Sequence, residues 1–305
     1  MSQAKTAFVT GASRGIGKVV AIWLAKAGFD VCVTARSVEP GEQREHSPSA
    51  SRSDTSPLPG SLSETLAAIE ALGRRVMALP ADITDPASIS AAGTTFLERW
   101  GAPDVLVNCA RHTGPGHMDK VLDTPLSAIR AVMEGNFFAP FILSRIFGPG
   151  MVARGSGVIV NFTSMSAFST PAKPAGEGGW GITYGASKAA AHRLAGILAL
   201  ELGPAGVLTF NVDPGYTWTE RIAQDMGKFG FAPNGAPPEV SGAVTAWLAT
   251  RPEAAELSGR TIFAQAFCAE HGLLDGWDAS KLRPVTAGLD SAAEDLGAGR
   301  SVSRT

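Results

Sequence analysis

Short apolar runs alternate with longer segments of helical periodicity along almost the whole chain. The runs fall at 7–9, 31–35, 76–79, 105–107, 158–162, 208–212 and 261–264. They are brief and apolar throughout, the pattern of strands buried on both faces. Between them, segments at roughly 16–27, 63–72, 86–100, 125–147, 184–202 and 238–249 repeat apolar residues at helical spacing. Several of these carry Pro at or near the first turn, where its missing donor costs nothing. Strand and helix taking turns predicts an α/β protein with one doubly wound parallel sheet and helices on both faces, a single domain over 1–280.

Three stretches break the alternation. Residues 37–60 are rich in Ser, Pro and charge and carry no apolar period. They read as an inserted surface loop, partly disordered, or as a flap over a ligand. The glycine-rich stretch 171–181 and the segment 220–238, with Phe229 and Phe231, are candidate lids over a substrate site. The tail 281–305 is dominated by small and polar residues, so it is expected to be poorly ordered or docked on a neighbouring subunit.

Composition narrows the function. A chain of 305 residues with 45% hydrophobic content can bury a large core. A net charge of −2 without a basic block argues against a nucleic-acid partner. The first strand begins within a few residues of Met1, leaving no room for a signal peptide, and no uninterrupted apolar stretch approaches membrane-spanning length. A soluble, cytoplasmic protein with no membrane partner is the expectation. Cys32, Cys109 and Cys268 are widely separated and read as buried thiols. His112, His117, His192 and His271 lack ligand spacing, so no metal site is expected, and His112 and His117 read as loop residues near the edge of a site.

Two motifs carry chemistry. The segment Thr10-Gly11-Ala12-Ser13-Arg14-Gly15-Ile16-Gly17 follows the first strand and opens the first helix. That is the context of a dinucleotide fingerprint and of a Rossmann-type sheet. Gly11 permits the tight turn, Gly15 lets the backbone approach a pyrophosphate, and Gly17 allows close helix packing. The phosphates then meet the positive end of the helix dipole. About twenty residues on, where an acid would hold the ribose of NAD, the chain has Arg36. With Arg14 it offers two guanidinium forks to a 2′-phosphate, which favours NADP(H). NAD(H) is the alternative if Glu39 swings in to hold the ribose. The second motif is Tyr184-Gly185-Ala186-Ser187-Lys188, in a chain with only two tyrosines. One helical turn sets an ammonium beside a phenol, which lowers the phenol pKa and suits it to general acid–base work.

The pattern Thr-Gly-x-x-x-Gly-x-Gly together with Tyr-x-x-x-Lys resembles the short-chain dehydrogenase/reductase family over about residues 5–264. The resemblance implies hydride transfer between NADP(H) and a carbonyl or secondary alcohol, and a homotetramer or homodimer. It also implies a catalytic tetrad of Asn136, Ser164, Tyr184 and Lys188, with Ser166 competing for the serine's place. Asp82 and Ile83 match the adenine contacts, Asn108 and Ala110 the turn after the fourth strand, and Pro214, Gly215, Thr217 and Thr219 the turn that contacts carboxamide and phosphates. Departures are Arg111 where the family has glycine, extra length between Ser164 and Tyr184, and no Asp-Gly-Gly near the carboxyl end. Arg111 reads as a contact to an anionic substrate, to a lid carboxylate such as Glu177, or as a surface charge. A catalytically silent dinucleotide-binding regulator and an NAD-dependent alcohol dehydrogenase running oxidatively are the alternative functions.

Overall fold

A computed structural model describes residues 4–112, 114–227 and 235–282. All seven apolar runs are strands: β1 (Thr6–Thr10), β2 (Asp30–Thr34), β3 (Val76–Ala78), β4 (Val105–Asn108), β5 (Gly157–Phe162), β6 (Val207–Asp213) and β7 (Thr261–Phe263). They form one parallel sheet in the order β3-β2-β1-β4-β5-β6-β7. Chain direction across the sheet reverses between β1 and β4, which opens a crevice at the carboxyl ends of these two strands. This is the expected single-domain Rossmann fold.

The helices are α1 (Gly15–Lys26), α2 (Leu62–Glu70), α3 (Pro86–Trp100), α4 (Leu126–Met133), α5 (Ala139–Arg154), α6 (Ile182–Leu202), α7 (Glu220–Gly227), α8 (Glu239–Thr250) and α9 (Ala264–Glu270). Because strand side chains alternate in direction, Ala7, Val9, Val31 and Val33 face one core with Val20, Leu24, Val240 and Val244. Phe8, Cys32 and Leu106 face the other, with Phe96, Leu143 and Phe147. There the Phe8 ring meets Phe96 at 5.3 Å and Phe147 at 5.1 Å. Both faces are covered, so neither side of a strand needs polar residues.

Local signals set the boundaries. Asp85 caps α3 by accepting from the Ala87 amide, with Pro86 in the first turn, and Ser61 caps α2 through Glu64. The expected helix 125–147 is three pieces, α4, a π-helical turn at Glu134–Phe138, and α5, continuous to Arg154. That run of 29 residues is, by length and composition, long and apolar enough to cross a membrane, although Arg130, Glu134 and Arg145 interrupt it. Here its Leu143, Phe147 and Met151 are fully buried against the sheet, as in a core helix. Two helices were not foreseen. α7 takes up the start of the 220–238 lid segment, and α9 begins at Ala264, directly after β7. Phe229, Phe231 and the tail from 283 lie outside the described residues.

The insertion 37–60 has neither helix nor strand, yet it is docked along its length. Pro48 accepts from the Met118 amide, Ala50 and Ser49 donate to Asp119, and Gly60 accepts from Arg14. His46 and Pro57 accept from Arg221 and Gln224 of α7. The insertion therefore spans from the loop after β4 to α7.

Candidate active site

The glycine-rich turn is held by close backbone packing. Gly11 has φ +71°, and a Cβ there would lie 2.7 Å from Ala110 Cα. A Cβ on Gly17 would lie 2.2 Å from the Gly11 carbonyl oxygen, so this glycine serves the loop's own backbone more than packing on the sheet. Thr10, absent from the expected site, ties the turn to the neighbouring strand: its hydroxyl accepts from the Cys109 and Ala110 amides, both at 3.1 Å. At the amino end of α1, the Gly15 amide donates to the Glu220 carboxylate at 3.1 Å. A carboxylate oxygen here stands in for a phosphate oxygen, and the glycine cradle leaves room for one. The residues present therefore fit a dinucleotide.

The two arginines also converge. Arg14 donates to the Gly60 carbonyl at 2.9 Å, and its Nε is buried without a partner. Burial lowers the Arg14 pKa, and the charge of Arg36 lowers it further, against Glu220 and other acids that raise it. Arg36 lies 3.8 Å from Asp82, whose other oxygen accepts from Thr84. Ser13 is buried beside Arg14, and Ile83 is half-buried near Gly135. Glu39 is exposed. The acid that folds back is Glu42, which accepts from the Val38 and Glu39 amides and pairs with Arg44.

Between β4 and β6 the crevice is lined by amides and hydroxyls. Asn108 donates to Asn161 at 2.8 Å, leaving its own Oδ1 buried and unpartnered. Pro214 and Gly215 form the turn after β6, Gly215 at φ +62°, and Gln265 fastens it through the Pro214 and Tyr216 carbonyls. Thr217 is buried in this turn, and Thr219 packs on Gly15.

The expected tetrad comes together at the carboxyl ends of β4 and β5. Tyr184 and the buried Lys188 share one face of α6, and the Lys188 ammonium donates to the Phe162 carbonyl at 2.6 Å. The Ser164 hydroxyl accepts from the Ser166 amide at 3.3 Å, and the same side chain favours the ionised Tyr184 phenol. Burial pushes the Tyr184 phenol up, but Lys188, Arg111 and Ser164 outweigh it, and the phenol lies below its ordinary value. Burial also lowers the Lys188 pKa, against the opposing pull of Tyr184. Ser166, the competing serine, has a buried hydroxyl without a partner and lines a cavity of about 390 Å³ beside Trp180 that includes neither Tyr184 nor Lys188. Asn136 sits in the π-helical turn and clamps two elements, accepting from the His112 amide at 2.7 Å and donating to Ser187 at 3.0 Å.

Besides Thr10, three residues outside the expected set enter the site, Asp213, Cys109 and Asp119, and so does His117, expected at its edge. His117 packs its ring 4.3 Å from that of Tyr184, and burial, then Arg111, Arg221 and Lys188, pushes its pKa down to about 3. Asp213, which ends β6, is buried with one oxygen unpartnered, and burial raises its pKa. Cys109 is half-buried near Lys188, and desolvation pushes its thiol up to about 12. Asp119 accepts from Gly116 at 3.0 Å and Ala50 at 2.7 Å, joining the insertion to the loop that carries His117. That loop also accepts from the lid: Gly181 donates to His117, Thr183 to Gly116, and Glu177 pairs with Lys120 at 2.7 Å. No motif marks His117 or Asp119 in sequence; only the docking of the insertion and lid reveals them.

Comparison with known proteins agrees with this geometry. The short chain dehydrogenase family model matches residues 5–59 and 55–226. The 7alpha-hydroxysteroid dehydrogenase of Escherichia coli (strain K12) is 30% identical over 218 residues, covering 72% of this chain and 73% of that protein. Acetoin dehydrogenase from Enterobacter cloacae superposes with a TM-score of 0.66 at 29% identity, covering 86% of this chain and 94% of that one. A metagenomic short-chain oxidoreductase in complex with NADP superposes with a TM-score of 0.62 at 28% identity, covering 82% and 92%. With a glycine cradle, a switch-point crevice and a Tyr–Lys pair in one cleft, the chain belongs to the short-chain dehydrogenase/reductase family.

Proposed function

We propose that the protein is an NADP(H)-dependent carbonyl reductase or alcohol dehydrogenase in which Tyr184 is the acid and base. The observation that carries this reading is the half-buried phenol set one turn from a buried ammonium, with Arg111 over its ring. When bound, the reduced nicotinamide supplies the hydride. As the carbonyl carbon is reduced, its oxygen takes the proton of the Tyr184 hydroxyl, and Ser164 hydrogen-bonds the same oxygen. Lys188 stabilises the phenolate left behind. Asn136 holds the β4 loop against α6 and so fixes the distance between the two walls of the cleft.

Arg14 and Arg36 are the residues that would hold a 2′-phosphate. Their mutual repulsion supports this, since a phosphate between them would relieve it. Gly11, Gly15 and Gly17 would cradle the pyrophosphate, Asp82 and Ile83 the adenine, and Asn108, Ala110, Pro214, Gly215, Thr217 and Thr219 the nicotinamide half. The NAD(H) alternative finds support in Glu42, an acid that folds back on the Val38 and Glu39 amides just after Arg36 and pairs with Arg44.

We read the protein as cytoplasmic and as a homodimer or homotetramer. Three unpaired thiols suit a reducing compartment, and the exposed Leu126, Phe138 and Phe141 on the α4–α5 run supply an apolar face for a second copy. The test mixes pure protein with NADPH and a panel of ketones, followed at the nicotinamide absorbance. Turnover that falls at least 100-fold in Tyr184→Phe, with nucleotide affinity kept, is the expected result. Tight nucleotide binding with no turnover of any carbonyl or alcohol would overturn it in favour of a regulator.

A further inference from the structure

Arg111 follows β4, and its guanidinium carbon lies 5.7 Å from the centroid of the Tyr184 ring. It is exposed, and among the described residues no carboxylate lies within ion-pair distance of it. The lid acid that could have neutralised it, Glu177, is held by Lys120. An aromatic face attracts a cation but leaves its fork of N–H donors open.

The neighbourhood adds to this charge instead of cancelling it. Lys188 is buried beneath the same ring, and Arg221 acts on His117 from the α7 side. His117, packed on the ring, is neutral across the working range. Of the acids in the site, Asp213 lies deep at the end of β6 and accepts from the Gly215 amide, and Asp119 is taken up by Gly116, Ser49 and Ala50. An exposed guanidinium without a carboxylate partner among the described residues, beside the phenol, suits a negatively charged ligand.

We propose that Arg111 recognises a carboxylate on the substrate, and that the enzyme acts on short 2- or 3-oxo acids and the matching hydroxy acids. The inference rests on the oxidoreductase reading above. It adds a second anchor point to it. With the carbonyl oxygen at Tyr184 and Ser164, a carboxylate on the adjacent carbon or one carbon further meets the planar guanidinium, which pairs with it bidentately. The bond changes are those of carbonyl reduction alone. Carbon gains the hydride, oxygen gains the Tyr184 proton, a C=O π bond is lost, and the carboxylate is unchanged.

The test uses protein saturated with NADP+, or with NAD+ if that binds tighter, so that an oxo acid binds without being reduced. Calorimetry then compares acetoacetate with ethyl acetoacetate, and 2-oxobutyrate with its methyl ester. The wild type is expected to bind each acid more tightly than its ester. Arg111→Ala lowers that acid-over-ester preference roughly 10- to 100-fold, as loss of a charge-assisted hydrogen bond requires, while Arg111→Lys retains part of it. Equal binding of acid and ester by the wild type overturns the proposal. So does an Arg111→Ala variant that keeps the preference, or one that loses affinity for the nucleotide instead. Tyr184→Phe, run in parallel, tests the oxidoreductase reading separately: unchanged turnover in that variant defeats the reading whatever the acid-to-ester ratio.

Discussion

The Glu220 carboxylate accepts a hydrogen bond from the Gly15 amide at 3.1 Å, at the positive end of α1. An acid at this place gains from the helix dipole and occupies a donor that a phosphate needs. Cofactor entry therefore requires Glu220, at the head of α7, to move. Glu220→Gln removes the competing charge, and affinity for NADPH is expected to rise about 2- to 5-fold. Calorimetric titration checks this; unchanged or weaker affinity would show that the carboxylate is not a competitor.

On the proposed acid–base role, Tyr184 gives a pH dependence whose sign follows from its lowered pKa. Reduction needs the protonated phenol, so its rate holds at low pH and falls as pH rises through the lowered value. Oxidation needs the phenolate and shows the opposite limb. The groups facing the ring are Lys188, Arg111, Ser164, Asp213 and His117. His117 stays neutral and contributes no limb. The Tyr184–Lys188 pair titrates together, so the limb belongs to both. Arg111→Ala removes one of the lowering charges, and the falling limb of kcat for reduction is expected to move to higher pH. A limb that stays in place would exclude an electrostatic role for Arg111.

Arg36 decides cofactor preference on the reading above. Arg36→Asp replaces a phosphate fork by an acid that repels a 2′-phosphate and accepts from a ribose hydroxyl. The ratio of NADPH to NADH dissociation constants is expected to invert, with NADPH weakened at least 10-fold. A wild type that already prefers NADH would assign the ribose to Glu42, and Glu42→Gln would then weaken NADH.

Asp119 fastens the insertion to the loop after β4. Asp119→Ala deletes the acceptor for Ala50, Ser49 and Gly116 and is expected to cost about 2–4 kcal/mol of stability. Hydrogen exchange at Ala50 and Gly116 should quicken more than exchange in β1 or β4. Uniform acceleration across the sheet would mean that the insertion is not separately anchored.

Much of this was legible in the chain. The seven strands and the cofactor turn follow from apolar runs and glycine spacing, because a buried parallel strand and a tight backbone approach each admit few residues. Tyr184 and Lys188 follow from helical geometry. The segment 37–60 was not legible as docked structure, since its hydrogen bonds run to Asp119, Arg14 and α7, all distant in sequence. His117 lacked a motif for the same reason: a loop residue acquires its burial from what folds over it. The break of the 125–147 helix at Asn136 was hidden because a π-helical turn preserves the apolar period on either side.

Cys109 has a consequence for which compounds the protein tolerates. Its sulfur lies at the end of β4 near Lys188, where an activated thiol would capture an enal or enone. Burial keeps it as the unreactive protonated form, and Cys32 and Cys268 are shifted the same way. Alkylation of Cys109 by an enone is therefore expected to be slow near neutral pH, which intact-mass measurement after exposure to the electrophile checks.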